Sequence, residues 1–391
     1  MNGIGWLCLA IALGSVALPQ EPRKVTYSAN IRPILVEKCT PCHHSEGLGP
    51  FSLQTYEQTK RRGDLVRLVA LTGQMPPTDA RSEFAPLTPH APLTSKELKD
   101  IQDWFRGGMS EGTKAAAIPA PLKRVAGETD HGLTVSVGKG QTIPAEGRSS
   151  VIIYPLNSLA DRVGYLHHFS FQPDAVKAVK QAVLAVQRPG EPEPFTSSGL
   201  RPGTSYATWA EGFNPWTSAE GYIPVMKGDR LWLRLTGVPT GKQEPASGLI
   251  SVAREYKYDK ILTKTLGNRS FIIQPEDKII LSSEWTLESD IDLISALPEA
   301  RLVTEQVSLV ARDGATRKTV FMVHTWDPTW PGAYNFLKPI RLKKGTVLSY
   351  EASIMNSKHG HAAEDEKVST VRFGPKSTDE LFWCHINYIP R

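Results

Sequence analysis

The sequence predicts a multidomain chain in which a small all-α domain precedes two all-β, jelly-roll-like sandwiches. Three observations lead there. The chain has 391 residues, more than one ordinary core supports. Up to residue 112, apolar residues recur at helical spacing. Beyond residue 125, short β-branched or alternating runs are separated by turn signals, which is the pattern of sandwiches.

The α-helical expectation covers residues 25–112. Ala29 to Glu37 spaces Ile31, Ile34, Leu35 and Val36 as a helix would. Tyr56 to Leu71 gives a second helix, with Leu65, Leu68, Val69 and Leu71 on or near one face. In the third, Thr94 or Ser95 caps, Glu97 lies in the first turn, and Leu98, Ile101, Trp104 and Phe105 form the stripe that Gly107-Gly108 ends. Residues 113–125 read as an Ala- and Pro-rich linker. The strand signals include Leu133–Val137, Ser150–Tyr154, Arg230–Leu235 and Gln306–Val310, punctuated by Lys227-Gly228-Asp229 and Arg312-Asp313-Gly314. A division near 255–270 assigns 126–265 and 266–391 to the two sandwiches.

The net charge of +5 is spread along the chain without a block of like charges, which argues against a nucleic-acid partner. Ile4 to Leu18 is apolar or small, and Ser15-Val16-Ala17 offers a cleavage site, so residues 1–20 read as a secretory signal. The positive leading charge of such signals is missing, and an uncleaved anchor, the only route to a membrane, stays open. The expected location is therefore the periplasm or the cell surface. Removing the signal leaves Cys39, Cys42 and Cys384.

Cys39-Thr40-Pro41-Cys42-His43 carries the chemistry. In Cys-x-x-Cys-His two thiols join the two vinyl groups of haem, and the adjacent His becomes an axial ligand of its iron. Structural zinc would want a second pair of ligands at short spacing, and no second Cys pair exists. A redox dithiol would sit in a βαβ unit, which the pattern lacks. Met75, in Gly73-Gln74-Met75-Pro76-Pro77, is the candidate for the sixth ligand, with Met109 and His90 behind it, while His44 reads as a solvated neighbour. A haem held by His and Met exchanges electrons with a partner protein or a small donor or acceptor.

Tyr27-Ser28-Ala29-Asn30-Ile31-Arg32-Pro33, the Cys39–His43 motif, Gly49-Pro50-Phe51, Met75-Pro76-Pro77 and Trp104-Phe105-Arg106-Gly107-Gly108 together resemble a class I cytochrome c domain. The type concerned is fused to copper-monooxygenase-like domains in environmental bacteria. Residues 126–391 resemble the catalytic core of peptidylglycine α-hydroxylating monooxygenase and dopamine β-hydroxylase. The matching segments are Gly164–Phe169, Lys227–Leu235, Trp326–Trp330 and Phe373–Leu381. That resemblance implies two jelly rolls with one copper each. His167 and His168 match the adjacent pair of the first site, whose third His falls near Thr236. The second site's ligands fall near Pro298, Ala300 and Leu381. With those ligands replaced, copper is reduced to a residual site at His167 and His168, and the expected function is haem electron transfer with the sandwiches as a docking or binding module. A haem-fed copper monooxygenase hydroxylating a C–H bond is the alternative, and a ligand-binding sandwich with a haem sensor is a third. Further metal candidates are His359 with His361, and Cys384 with His385.

Overall fold

The structure, a computed structural model, describes residues 24–76, 80–84, 93–120, 132–197, 199–211, 213, 216–254, 259–301, 303–329, 331–357, 368–376 and 378–391. The signal segment, His90, and His359 with His361 lie outside these.

Strands dominate. One sheet runs in the order Asp259–Lys260, Gly221–Pro224, Tyr165–Pro173, Gly248–Arg254 and Gly132–Val137. It faces a second sheet in the order Ser150–Pro155, Arg230–Gly237, Val179–Gln187 and Tyr206–Ala210, across a core that includes Phe169, Ile250, Leu184 and Leu233. The second sandwich pairs Leu262–Gly267, Trp383–Pro390, Ile291–Glu299 and Tyr334–Leu342 with a sheet containing Thr316–Val323, Thr304–Asp313, Val347–Met355 and Lys278–Thr286. Its core includes Leu293, Leu309, Phe321 and Tyr350.

The expected fold class, with its all-α N-terminal domain, is overturned. Among the described residues the helices are short: Tyr56–Arg61, Gly63–Leu71, Ser95–Arg106 and Asn157–Val163, besides a Tyr27–Cys39 segment whose two ends are π-helical. The N-terminal part also gives a strand, Ala80–Arg81, which pairs antiparallel with Met322 and Val323 of the second sandwich. The Thr316–Val323 strand would otherwise present a row of unpaired backbone groups, and Ala80–Arg81 satisfies part of it. The contact continues as Glu83 N–H donates to Thr319 O at 2.9 Å, and Phe84 packs on the second core.

The helices themselves show what local pattern settles. Ser95–Arg106 carries the full capping box, with Thr94 Oγ1 accepting from Glu97 N–H at 3.2 Å and Glu97 Oε2 from Thr94 N–H at 2.7 Å. The expected helix from Tyr56 to Leu71 breaks at Arg62, whose backbone leaves the helical region, and resumes at Gly63, where a Cβ would lie only 2.2 Å from Met109 Sδ. Its buried face is Gly63, Val66 and Ala70, whereas Leu65, Leu68 and Leu71 are exposed.

The two four-stranded sheets pack on each other, which is why Val179–Gln187 and Ile291–Glu299 read as near-continuous apolar runs buried on both faces. Between them lies a polar clamp. Glu299 Oε1 accepts from Arg234 Nη1 at 2.5 Å, and Glu299 Oε2 accepts from Leu200 N–H at 2.9 Å and lies 3.1 Å from His385 Nε2. Thr265 Oγ1 engages His385 Nδ1 at 2.9 Å, and Asn387 Nδ2 bridges Tyr206 O and Ser295 Oγ. Burial alone would raise the Glu299 carboxyl, but the Arg234 charge and the bonds from His385 and Leu200 hold it down at about 2.

Glu299→Ala leaves Arg234 buried without its counter-ion and is expected to cost ~3–5 kcal/mol of unfolding free energy in chemical denaturation. The carboxyl lies below its ordinary value of 4.5, so its contribution is whole above that pH and is lost as pH falls toward about 2. An acid titration of stability should lose less in Glu299→Gln than in the parent across that window.

Candidate functional site

The Tyr27–Cys39 segment buries Tyr27, Ile31, Ile34 and Leu35 and delivers Cys39 at its end. The next turn is held by its own backbone: Cys42 N–H donates to Cys39 O at 3.1 Å and His43 N–H to the same oxygen at 2.8 Å. Gly49 N–H then donates to Cys42 O at 2.8 Å, and Leu53 N–H to His43 O at 2.9 Å. These bonds fold residues 39–53 into a compact loop around the His43 ring.

That ring is fixed on one side. His43 Nδ1 donates to Phe51 O at 3.0 Å, which makes Nδ1 the protonated nitrogen and leaves the lone pair on Nε2. Phe51 lies 4.9 Å from the ring centroid, and the Arg62 guanidinium caps Phe51 at 4.3 Å. Burial, then the nearby Arg62 charge, lowers the imidazole pKa against the Phe51 bond that raises it, which favours the neutral ring. A neutral imidazole with its second nitrogen hydrogen-bonded to a carbonyl is the form that ligates metal.

Cys39, Cys42, His43 and Met75 line one cavity of about 570 Å³. That volume lies within the ~300–1,000 Å³ of cofactor and ligand sites. The N-terminal part supplies an apolar wall that includes Ile34, Leu48, Val66 and Ile101. The remainder comes from the sandwiches: Glu211 and Phe213 follow the Tyr206–Ala210 strand, and Thr325, Trp326, Asp327 and Tyr334 belong to the second unit. Both thiols are free, and burial pushes each up to about 12. Met75 is anchored by its N–H to Val69 O at 3.0 Å, five residues before the strand annexed by the second sandwich. The buried Trp326 indole N–H has no hydrogen-bond acceptor among the described residues.

The other sequence candidates are placed elsewhere. Met109 Sδ is pressed against Gly63 in the N-terminal core. His167 and His168 lie on Tyr165–Pro173. His168 Nδ1 meets Thr217 Oγ1 at 2.8 Å, and burial followed by the His167 charge lowers its pKa to about 4. Thr236 is on Arg230–Gly237 in the facing sheet. Pro298 pairs with Cys384 in an all-buried strand, and Leu381 is buried beside Glu380, whose carboxylate accepts from Arg301 and Val303 N–H. Cys384 points into the second core while His385 points into the clamp between sandwiches, so the two do not converge. Among the described residues no group of three His, Cys, Asp or Glu is arranged to hold a metal ion.

Of the residues lining this cavity, the sequence marks Cys39, Cys42, His43 and Met75 for their chemistry, carries Trp326, Asp327 and Tyr334 only as scaffold, and gives no signal at Glu211 or Phe213. Nothing local marks a residue that will face a site built by a segment far away in the chain.

No protein-family model and no curated protein matches the chain. Among solved structures, PNGF-II in the P21 space group is similar at a TM-score of 0.30 and 10% identity, covering 66% of this chain and 66% of that one, just under two thirds of its length. The STIV MCP is similar at 0.25 and 9%, covering 57% of this chain and 96% of that one. The infectious bursal disease virus Gx strain structure follows at 0.18 and 11%. Likeness this slight bears on neither fold nor function.

A Cβ at Gly49 would fall 2.4 Å from His43 Nδ1 and 2.7 Å from Cγ. Gly49→Ala is therefore expected to displace the imidazole, break its bond to Phe51 and cost ~1–3 kcal/mol of stability in denaturant unfolding. The bond to Phe51 can be followed through the His43 Nδ1 proton in an NMR spectrum, and its persistence in the variant would refute this account of the loop.

Proposed function

We propose that this chain is an exported electron-transfer protein that carries one haem covalently at Cys39 and Cys42. The observation that carries the reading is the convergence on one cavity of two free thiols, an imidazole whose Nδ1 is already engaged by Phe51 O, and the Met75 thioether.

The residues present fit the group in kind. Half-buried thiols such as these can add their S–H across a vinyl double bond, a step that releases nothing. His43, through the lone pair on Nε2, and Met75, through its thioether, are the residues that would hold the iron of such a group. When bound, such a haem supplies a one-electron iron couple, and a thioether ligand raises its potential relative to a second imidazole. The apolar wall gives such a group low-dielectric surroundings, which suit electron exchange. Thioether attachment belongs to exported proteins, in keeping with the secretory reading of residues 1–20. Its partner is a redox protein or a small donor or acceptor.

Protein matured with haem in a periplasm is expected to show a haem c α-band on reduction that survives denaturation, because the attachment is covalent. Cys39→Ser with Cys42→Ser should lose the pigment on denaturing gels. A reduced spectrum with no such band defeats the reading. In Met75→Ala the α-band should persist, while the weak long-wavelength band of the oxidised, thioether-ligated form disappears.

A further inference from the structure

We infer that Glu211, a half-buried residue of the first sandwich, is the charge that sets the potential of the haem site. The inference rests on the reading of the cavity as that site.

Glu211 directly follows the Tyr206–Ala210 strand, and its backbone N–H donates to Lys180 O at 3.2 Å, which ties its position to the neighbouring strand. Its side chain lines the cavity together with Phe213, Trp326 and Tyr334, and its charge is felt at Cys42. The thiol of Cys42 is where the edge of a covalent haem would begin, so the carboxyl faces the haem rather than bulk water. The charged or titratable groups around it are Lys180, Cys42 and, through Lys180, Asp327. Burial, only partly opposed by the Lys180 charge, raises the Glu211 carboxyl to about 7. Charge in such surroundings is weakly screened and acts over longer distances than at a surface.

A carboxylate here favours the oxidised couple partner, because loss of one electron leaves one more positive charge on the iron. The amide of Gln keeps shape and hydrogen-bonding capacity but removes that attraction. Lys180 acts with the opposite sign, since its ammonium opposes the added positive charge. A residue that merely filled space would move neither quantity in this paired way.

The test is a redox titration of haem-loaded full-length protein at pH 8.5, where Glu211 is ionised, with the visible spectrum as readout. Glu211→Gln is expected to raise the ratio of reduced to oxidised haem about tenfold at a fixed solution potential, about 59 mV for a one-electron couple. Glu211→Asp should stay within about twofold of the parent, and Lys180→Gln should shift the ratio the other way. Intact haem bands with an unchanged ratio in Glu211→Gln overturn this inference and leave the haem reading standing. A parent protein without a haem band overturns both. If Glu211→Gln does not fold, the sign of the Lys180→Gln shift decides: a fall in the ratio supports the inference, and a rise or no change refutes it.

Discussion

The carboxylate of Glu299 and the guanidinium of Arg234 form an ion pair between two sheets that belong to different sandwiches. Two charges taken out of water are expensive to bury, and the cost is offset here by their mutual contact and by the further bonds Glu299 Oε2 makes with Leu200 N–H and His385. The pair demands one orientation. Sliding either sheet by a residue would strand both charges among Val183, Ala185 and Leu297. The relative placement of the sandwiches follows from this clamp, and so does everything that draws walls from both of them.

The cavity is the main dependent. Its N-terminal wall comes from the Cys39–Leu53 loop and the Gly63–Leu71 helix, and its other walls from the ends of strands in two separate sandwiches. Annexation of Ala80–Arg81 by the Thr316–Val323 edge joins these parts directly beyond Met75. The same edge carries Val323, which itself lines the cavity. The position of the Met75 loop is thus set by a β-ladder of the second unit as much as by its own helices. Along the Gly63–Leu71 helix, Val66 and Ala70 are buried and Leu65 and Val69 also line the cavity, while Leu68 and Leu71 are exposed.

The positions at which the sequence raised the expectation of copper ligands are used for packing. Pro298 and Leu381 are buried, and the neighbouring Glu380 caps two backbone amides. Strands buried on both faces need apolar side chains at successive positions, and an imidazole there would need its own partners. His385 shows the requirement being met, with both ring nitrogens engaged.

The sequence by itself determined the local devices. The Thr94–Glu97 capping box, the end of that helix at Gly107, the strand-forming runs and the Cys39–His43 turn are encoded by neighbours within a few residues, where spacing and hydrogen-bonding capacity suffice. Only the tertiary structure decided that the N-terminal part would not be all-α, because the strand at Ala80 exists through an edge supplied more than two hundred residues later. It likewise decided that Glu211 and Trp326 face Cys42 and His43, and that Cys384 and His385 look away from each other. Burial, and the charge that burial makes effective, is a property of what arrives from elsewhere in the chain. A motif can announce its own chemistry, but the wall that tunes it is written in residues with no local signature.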